Sequence, residues 1–168
     1  FFIANIVKGE DGFSYDVQVG NVGDSRVVCG RDGKAIPMTK DHKPTLPEER
    51  ARIVACGGDV VNARVDGNLA VSRAFGDSQY KGGPGGPRKQ KVIALPEVSH
   101  ITCTSKDFMV LCCDGVFEGN FSNDQVIEFV TQQLQETKDL GLIAAAVCDA
   151  ALERGSKDNI TCMVVLFE

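Results

Sequence analysis

Phe108-Met-Val-Leu-Cys-Cys-Asp-Gly-Val-Phe-Glu118 is the stretch on which the fold turns: six uncharged residues run into an acid and a glycine. A run without polar alternation marks a strand covered on both faces. Such a strand delivers Asp114 on a stiff scaffold, and Gly115 lets the backbone turn sharply behind it. A carboxylate held this way suits a hard cation, which wants oxygen ligands fixed in place. Asp-Gly is also a common turn opener, so this stretch alone leaves both readings open.

Two further acids sit in similar settings. Asp158 lies in Gly155-Ser-Lys-Asp-Asn-Ile-Thr-Cys-Met-Val-Val-Leu-Phe167, just ahead of a second buried strand, and Asp24 lies in Val19-Gly-Asn-Val-Gly-Asp-Ser-Arg-Val-Val-Cys29, between two apolar runs. If the strands at Phe108 and Ile160 are neighbours, Asp114 and Asp158 meet and share a cation.

The rest of the chain supplies the surrounding layers. Phe1 to Val7 and Tyr15 to Val22 read as strands around a turn at 8–13, and Ser25 to Gly30 and Lys34 to Met38 repeat the device around Asp32-Gly33, which predicts a meander. Thr45-Leu-Pro-Glu48 has the spacing of a capping box and predicts a helix to about Cys56, with Ile53, Val54 and Cys56 as its apolar face and Gly57-Gly58 as its stop. Short strands follow near Val60, Arg64 and Leu69, the last two joined by Asp66-Gly67-Asn68. From Ser72 to Lys91 periodicity is lost. Gly82-Gly-Pro-Gly-Gly-Pro87 holds neither helix nor strand, and Lys81, Arg88, Lys89 and Lys91 make this loop the one locally basic stretch, a linker or a substrate-facing flap. Val98 to Thr104 and Phe108 to Cys113 read as a strand pair. Helices capped at Ser122 and Asp139 come next, the second ending at Gly155.

Strand pairs with helices gathered into blocks predict an α+β fold, an antiparallel β-sandwich flanked by helices in α/β/β/α layers. The 168 residues suit one domain, and a 43% hydrophobic fraction is ample for a core. A net charge of −5 argues against nucleic acid or an anionic membrane as partner. Seven Cys, scattered through apolar runs, read as small buried hydrophobes of a reduced compartment, and no stretch is long enough to span a bilayer, so a soluble cytoplasmic or nuclear protein is expected. The opening at Phe1 falls inside a core strand and carries no Met, so an N-terminal part of the domain is expected to precede it. His42, in a Pro-bounded loop, and His100, in a strand, read as structural, neither being placed as an obvious base, and Arg73 is expected to pair with Asp77.

Taken in order, Val22-Gly-Asp-Ser-Arg26, Asp41-His-Lys-Pro44, Leu69-Ala-Val-Ser-Arg-Ala-Phe-Gly-Asp77, Asp114-Gly115 and Lys157-Asp-Asn-Ile160 resemble the type 2C metal-dependent serine/threonine protein phosphatases. The resemblance implies paired antiparallel sheets between helices, and a binuclear Mg²⁺ or Mn²⁺ site whose bridging water attacks phosphoserine or phosphothreonine in phosphoprotein substrates. By motif, Asp114 and Asp158 would be ligands of one ion, Asp24 would contribute to a weaker third site, and residues 72–91 would form a flap. Glu118 stands where members often carry Asp. The family's bridging acid, its Asp-Gly-His stretch, its proton donor and its phosphate-binding Arg match nothing here. On this reading the chain is the C-terminal portion of one catalytic domain, monomeric when complete and inactive as residues 1–168 alone. The alternative is a catalytically silent phosphatase-like module that binds a partner; a calcium-binding β domain fails because the Asp-Gly turns lack regular ligand spacing.

Overall fold

The computed structural model describes residues 2–9 and 12–167. Its strands are β1 (Phe2–Gly9), β2 (Gly12–Asn21), β3 (Arg26–Arg31), β4 (Lys34–Pro37), β5 (Val60–Val61), β6 (Arg64–Val65), β7 (Glu97–Cys103), β8 (Phe108–Cys112) and β9 (Cys162–Leu166). The helices are α1 (Pro47–Ala55), α2 (Asn123–Glu136) and α3 (Leu140–Glu153). These elements form two compact units: the chain up to Gly20, Ser25–Thr39 and Val98 onward make the first, and Asn21–Asp24 with Lys40–Glu97 make the second.

The first unit contains two sheets, ordered β1-β2-β7 and β4-β3-β8-β9. Tyr15, Val17, Val19 and Cys103 from one sheet form a core with Val27, Cys29 and Met109 of the other. On the opposite face of the larger sheet, Val28, Phe108, Val110, Cys112 and Val164 pack against Val126, Ile127 and Val130 of α2 and Ile143 and Val147 of α3. β8 therefore sends Met109 into one core and its even-numbered neighbours into the other. That double burial is why its sequence shows no alternation. The expected fold class holds: antiparallel sheets stacked face to face, with helices laid over the outer face of one.

The connectivity departs from the expected meander. β1 pairs with β2 and β3 pairs with β4, but the two hairpins lie in different sheets, because the chain changes sheet between Asn21 and Arg26. β7 and β8 are likewise not partners: β8 pairs with β3 and β9 instead. Asp107, only 3% exposed, makes that crossing; its carboxylate takes a two-pronged bond from Arg31 at 2.8 and 3.0 Å and accepts from the Thr104 N–H at 2.7 Å. The turn at Asp32-Gly33 is as expected, both residues being left-handed (φ 50° and 71°). The expected strand start at Phe1 and the turn residues Glu10 and Asp11 lie outside the described residues.

In the second unit α1 starts at Pro47, whose fixed φ suits the first helical position, and its N-cap is Leu46 with no side-chain cap bond. The predicted capping box at Thr45 does not form, because Glu48 turns outward to Lys40 at 2.8 Å. Only Ile53 and Glu49 of this helix are buried; Val54 is exposed. The short hairpin β5-β6 turns through Asn62 and Ala63 at φ 50° and 61°, and the predicted turn at Asp66-Gly67-Asn68 follows it, closed by reciprocal Val65–Leu69 backbone hydrogen bonds at 2.8 and 3.3 Å, with Leu69 making a single bridge and not a strand. In the first unit, α2 has the predicted Ser122–Gln125 capping box and α3 is capped by Asp139.

Candidate metal centre

Asp114 and Asp158 are brought to the same end of adjacent strands, as the sequence predicts. β8 ends at Cys112, and Asp114–Val116 form a single 3₁₀ turn. The Cys113 N–H donates to the Thr161 carbonyl at 3.2 Å, its thiol donates to the Asn159 carbonyl at 3.1 Å, and the Thr161 N–H donates back to Sγ at 3.2 Å. The segment leaving β8 is thus stitched to the segment entering β9. Gly115 closes the junction: a Cβ there would lie 2.2 Å from the Asn159 carbonyl oxygen and 3.3 Å from the Asp158 Cβ. The buried Ser156 hydroxyl donates to the Gly115 carbonyl at 2.7 Å. None of Cys113, Ser156 and Asn159 stands out in the sequence as a site residue; their roles are backbone contacts between segments more than 40 residues apart.

The donor set at this junction fits a hard divalent cation. Asp158 is exposed, with Oδ1 accepting from the Asn159 N–H at 2.7 Å, and Asp114 is half-buried beside it. Mg²⁺ commonly takes one or two carboxylates and fills its octahedron with water and substrate oxygens. Among the described residues no three His, Cys, Asp or Glu side chains gather as a metal-binding group. Glu118, four residues beyond Asp114, is exposed.

Asp24 belongs to the second unit and is placed by other means. Gly23 sits at φ 117°, a conformation that only glycine adopts readily. Its N–H donates to His42 Nδ1 at 3.1 Å and its carbonyl accepts from the His42 N–H at 3.0 Å and from the Asn21 side chain at 3.1 Å. Asn21 also reaches the Lys40 carbonyl at 3.2 Å. Lys43 then sets its ammonium against Asp24 Oδ2. Asp41-His-Lys-Pro44 is therefore the cradle of the Asp24 turn, a pairing that the separate strings gave no way to read.

His42 is 1% exposed, and because Nδ1 accepts, its proton is on Nε2, which lies 3.3 Å from Glu97 Oε2 without the alignment of a hydrogen bond. Burial, aided by the Arg73 cation, lowers the His42 pKa and keeps the ring neutral. Behind it, the Ser72 N–H and hydroxyl both donate to the His42 carbonyl at 2.9 Å, and Arg52 donates to the Ser72 carbonyl at 2.7 Å. Buried Glu49 takes Arg52 at 2.8 Å and Arg73 at 2.7 Å. Burial pushes its carboxyl upward, but hydrogen bonds from Arg73, Ser72 and Arg52 outweigh this and hold it at about 2. Arg73 thus pairs with Glu49 and the Leu95 carbonyl, whereas the expected partner Asp77 occupies a left-handed turn at φ 49°. In the first unit, His100 pairs with Asp16.

The 72–91 stretch is irregular, as predicted, but tied down. Gln90, 5% exposed, accepts from the Gly83 N–H and donates to the Gly83 and Gly86 carbonyls, all at 2.8 to 2.9 Å. Lys81 is spent on the Ala74 carbonyl and Lys91 on Asp66, so Arg88 and Lys89 are its outward-facing cations. A cleft of about 410 Å³ between α1 and this loop is lined by Arg52, Cys56, Pro84 and Lys89 among others. It contains no carboxylate and does not suit a cation.

Residues 4–160 match the family described as Protein phosphatase 2C. Protein phosphatase 1B of Rattus norvegicus is 44% identical over 149 residues, covering 88% of this chain and 38% of that protein. Protein phosphatase ppm-1.A of Caenorhabditis elegans is 42% identical over 154 residues, covering 89% of the chain and 32% of the relative. A crystal structure of a phosphatase from Toxoplasma gondii superposes with a TM-score of 0.87 at 43% identity, covering 92% of this chain and 49% of that one. The chain therefore spans half or less of the length of these relatives.

Proposed function

Because the chain belongs to the protein phosphatase 2C family, we propose that its acids serve the metal-dependent hydrolysis of phosphoserine and phosphothreonine in protein substrates. The observation that supports this reading is the junction of β8 and β9, where the turn bearing Asp114 packs against the segment bearing Asp158 so closely that Gly115 has no room for a side chain. In it, Asp114 and Asp158 hold one Mg²⁺ or Mn²⁺ and Asp24 contributes to a weaker site. Divalent cations, when bound, lower the pKa of water and neutralise phosphoryl charge, which accounts for a site without a side-chain nucleophile. Both units would belong to one catalytic domain. The exposed Arg88 and Lys89 would face acidic phosphoproteins from a flap, and the working form would be a cytoplasmic monomer. Among the described residues no helix is long and apolar enough to cross a membrane.

Phosphate release from a phosphothreonine peptide, followed across Mn²⁺ concentrations, tests the reading. Asp114→Asn or Asp158→Asn in the complete protein should lower turnover by more than the roughly 10–100-fold typical of residues one step removed from a metal. Two carboxylates cannot hold a pair of ions about 3.5–4 Å apart, so residues 1–168 alone should be inactive. Unchanged turnover in both variants would sink the ligand assignment, and a complete protein without turnover would establish the silent binding module instead.

A further inference from the structure

We infer that Cys112 and Cys162 form a site of reversible oxidation, a dithiol that hydrogen peroxide closes into a disulfide across β8 and β9. The two residues stand directly opposite one another in the antiparallel pair, and both are free thiols here. Just beyond them the Cys113 N–H donates to the Thr161 carbonyl, the residue opposite it, at 3.2 Å. Opposed residues alternate between bonded and non-bonded pairs, so Cys112 and Cys162 are a non-hydrogen-bonded pair. In such a pair the side chains approach more closely and the Cα atoms lie about 4.5 Å apart. A disulfide bridges Cα separations of about 4.4–6.8 Å, which puts the bond within reach without moving either strand. Both side chains lie on the helix-covered face of the sheet, Cys112 inside the core beneath α2 and α3 and Cys162 packed against it. There the two thiols hydrogen-bond to each other.

Exposure sets the order of events. Cys162 is half-buried, whereas Cys112 is only 4% exposed. The oxidant therefore meets Cys162 first: its sulfur attacks one peroxide oxygen, the O–O bond breaks, and a water departs to leave a sulfenic acid. The Cys112 sulfur then attacks the Cys162 sulfur, the S–O bond breaks, and the hydroxide takes the Cys112 proton away as a second water. Two thiols lose two electrons in all, and one peroxide is reduced to two waters. A thiol reductant restores the pair by exchange. Cys29 and Cys103 are also in thiol contact, but both are 0% exposed in the core between the sheets and give an oxidant no entry. The Cys113 sulfur is already engaged by the backbone of Asn159 and Thr161. Because Cys112 lies two residues ahead of Asp114, oxidation adds a covalent tie to a junction that the reduced chain holds by hydrogen bonds. The chemistry needs no bound cation.

The test exposes the reduced complete protein to hydrogen peroxide, blocks the remaining thiols with N-ethylmaleimide and maps cross-linked peptides by mass spectrometry. A peptide pair joined through Cys112 and Cys162 is expected, lighter by two hydrogen atoms than the separate peptides and released by dithiothreitol. Cys112→Ala should leave a sulfenic acid on Cys162 that dimedone labels, and Cys162→Ala should leave Cys112 a free thiol. The wild-type map needs no variant, so it decides the matter even if one of these fails to fold. Both thiols still free after peroxide would overturn the inference. So would a bond from Cys162 to Cys148 of α3, its other thiol neighbour.

Discussion

Asp114 and Asp24 are both acids set on turns beyond buried strands, yet they are held by different kinds of contact. Asp114 is held mainly by chain against chain, the Cys113 N–H on the Thr161 carbonyl and Gly115 against the Asn159 carbonyl, with the Cys113 thiol and the Ser156 hydroxyl also bonded to backbone carbonyls. Asp24 rides on a turn held by side chains, His42 and Asn21 on Gly23, with Ser72, Arg52 and Glu49 lined up behind. A backbone junction fails all at once when filled. A side-chain cradle loosens by degrees and responds to pH.

The sharpest way to break the first arrangement is Gly115→Val, whose Cβ would sit 2.2 Å from a backbone oxygen that cannot move without pulling β9 from β8. It should cost more than about 4 kcal/mol, in the range reserved for failures of the fold. Urea unfolding reads it directly, and a loss under 1 kcal/mol would show that the two segments are not locked together. Next comes Glu49→Gln, which leaves Arg52 and Arg73 without their buried counter-ion and should cost about 3 kcal/mol. Its pH signature follows from the depressed carboxyl. With the folded value at about 2 and the unfolded chain near the ordinary 4.3, the Glu49 contribution is complete above the unfolded value and fades as pH falls toward the folded one. The gap in urea midpoint between wild type and Glu49→Gln should therefore shrink below about pH 4.3; a constant gap would contradict the assignment.

His42→Leu should cost about 2 kcal/mol, since it removes the acceptor of the buried Gly23 N–H. The native His42 holds its proton less tightly than the unfolded chain does, so acidification below its ordinary value of about 6.5 favours unfolding and wild-type stability should decline there. The variant should lack that component of the decline, which a comparison of unfolding midpoints at neutral and mildly acid pH will show. The smallest effect is expected of Gln90→Ala, about 1 kcal/mol, because the amide it removes holds only Gly83 and Gly86. Limited proteolysis should then cut faster within residues 83–89, and an unaltered cutting pattern would show that the loop is held elsewhere.

How much of this was legible follows the range of each interaction. The buried character of β8, the Asp32-Gly33 turn and the Ser122 cap depend on neighbours within a few residues, and all were readable. Sheet membership was not. β2 with β7 and β3 with β8 are chosen by which apolar faces close two cores at once, a matter of partners far along the chain. The expected capping box at Thr45 failed for a similar reason: Glu48 had the right spacing, but Lys40 offered a charged partner outside the helix. Arg73 chose Glu49, 24 residues away, over Asp77 four residues away.

By itself the sequence determined the elements, the double burial of the strand before Asp114, and three acids at strand ends whose surrounding strings mark the family. The tertiary structure alone decided that Asp114 and Asp158 share a junction while Asp24 rests on His42 and faces Lys43. The physical reason is that an acid's identity is written locally, whereas its geometry and its counter-charge come from backbone and side chains that only folding brings beside it.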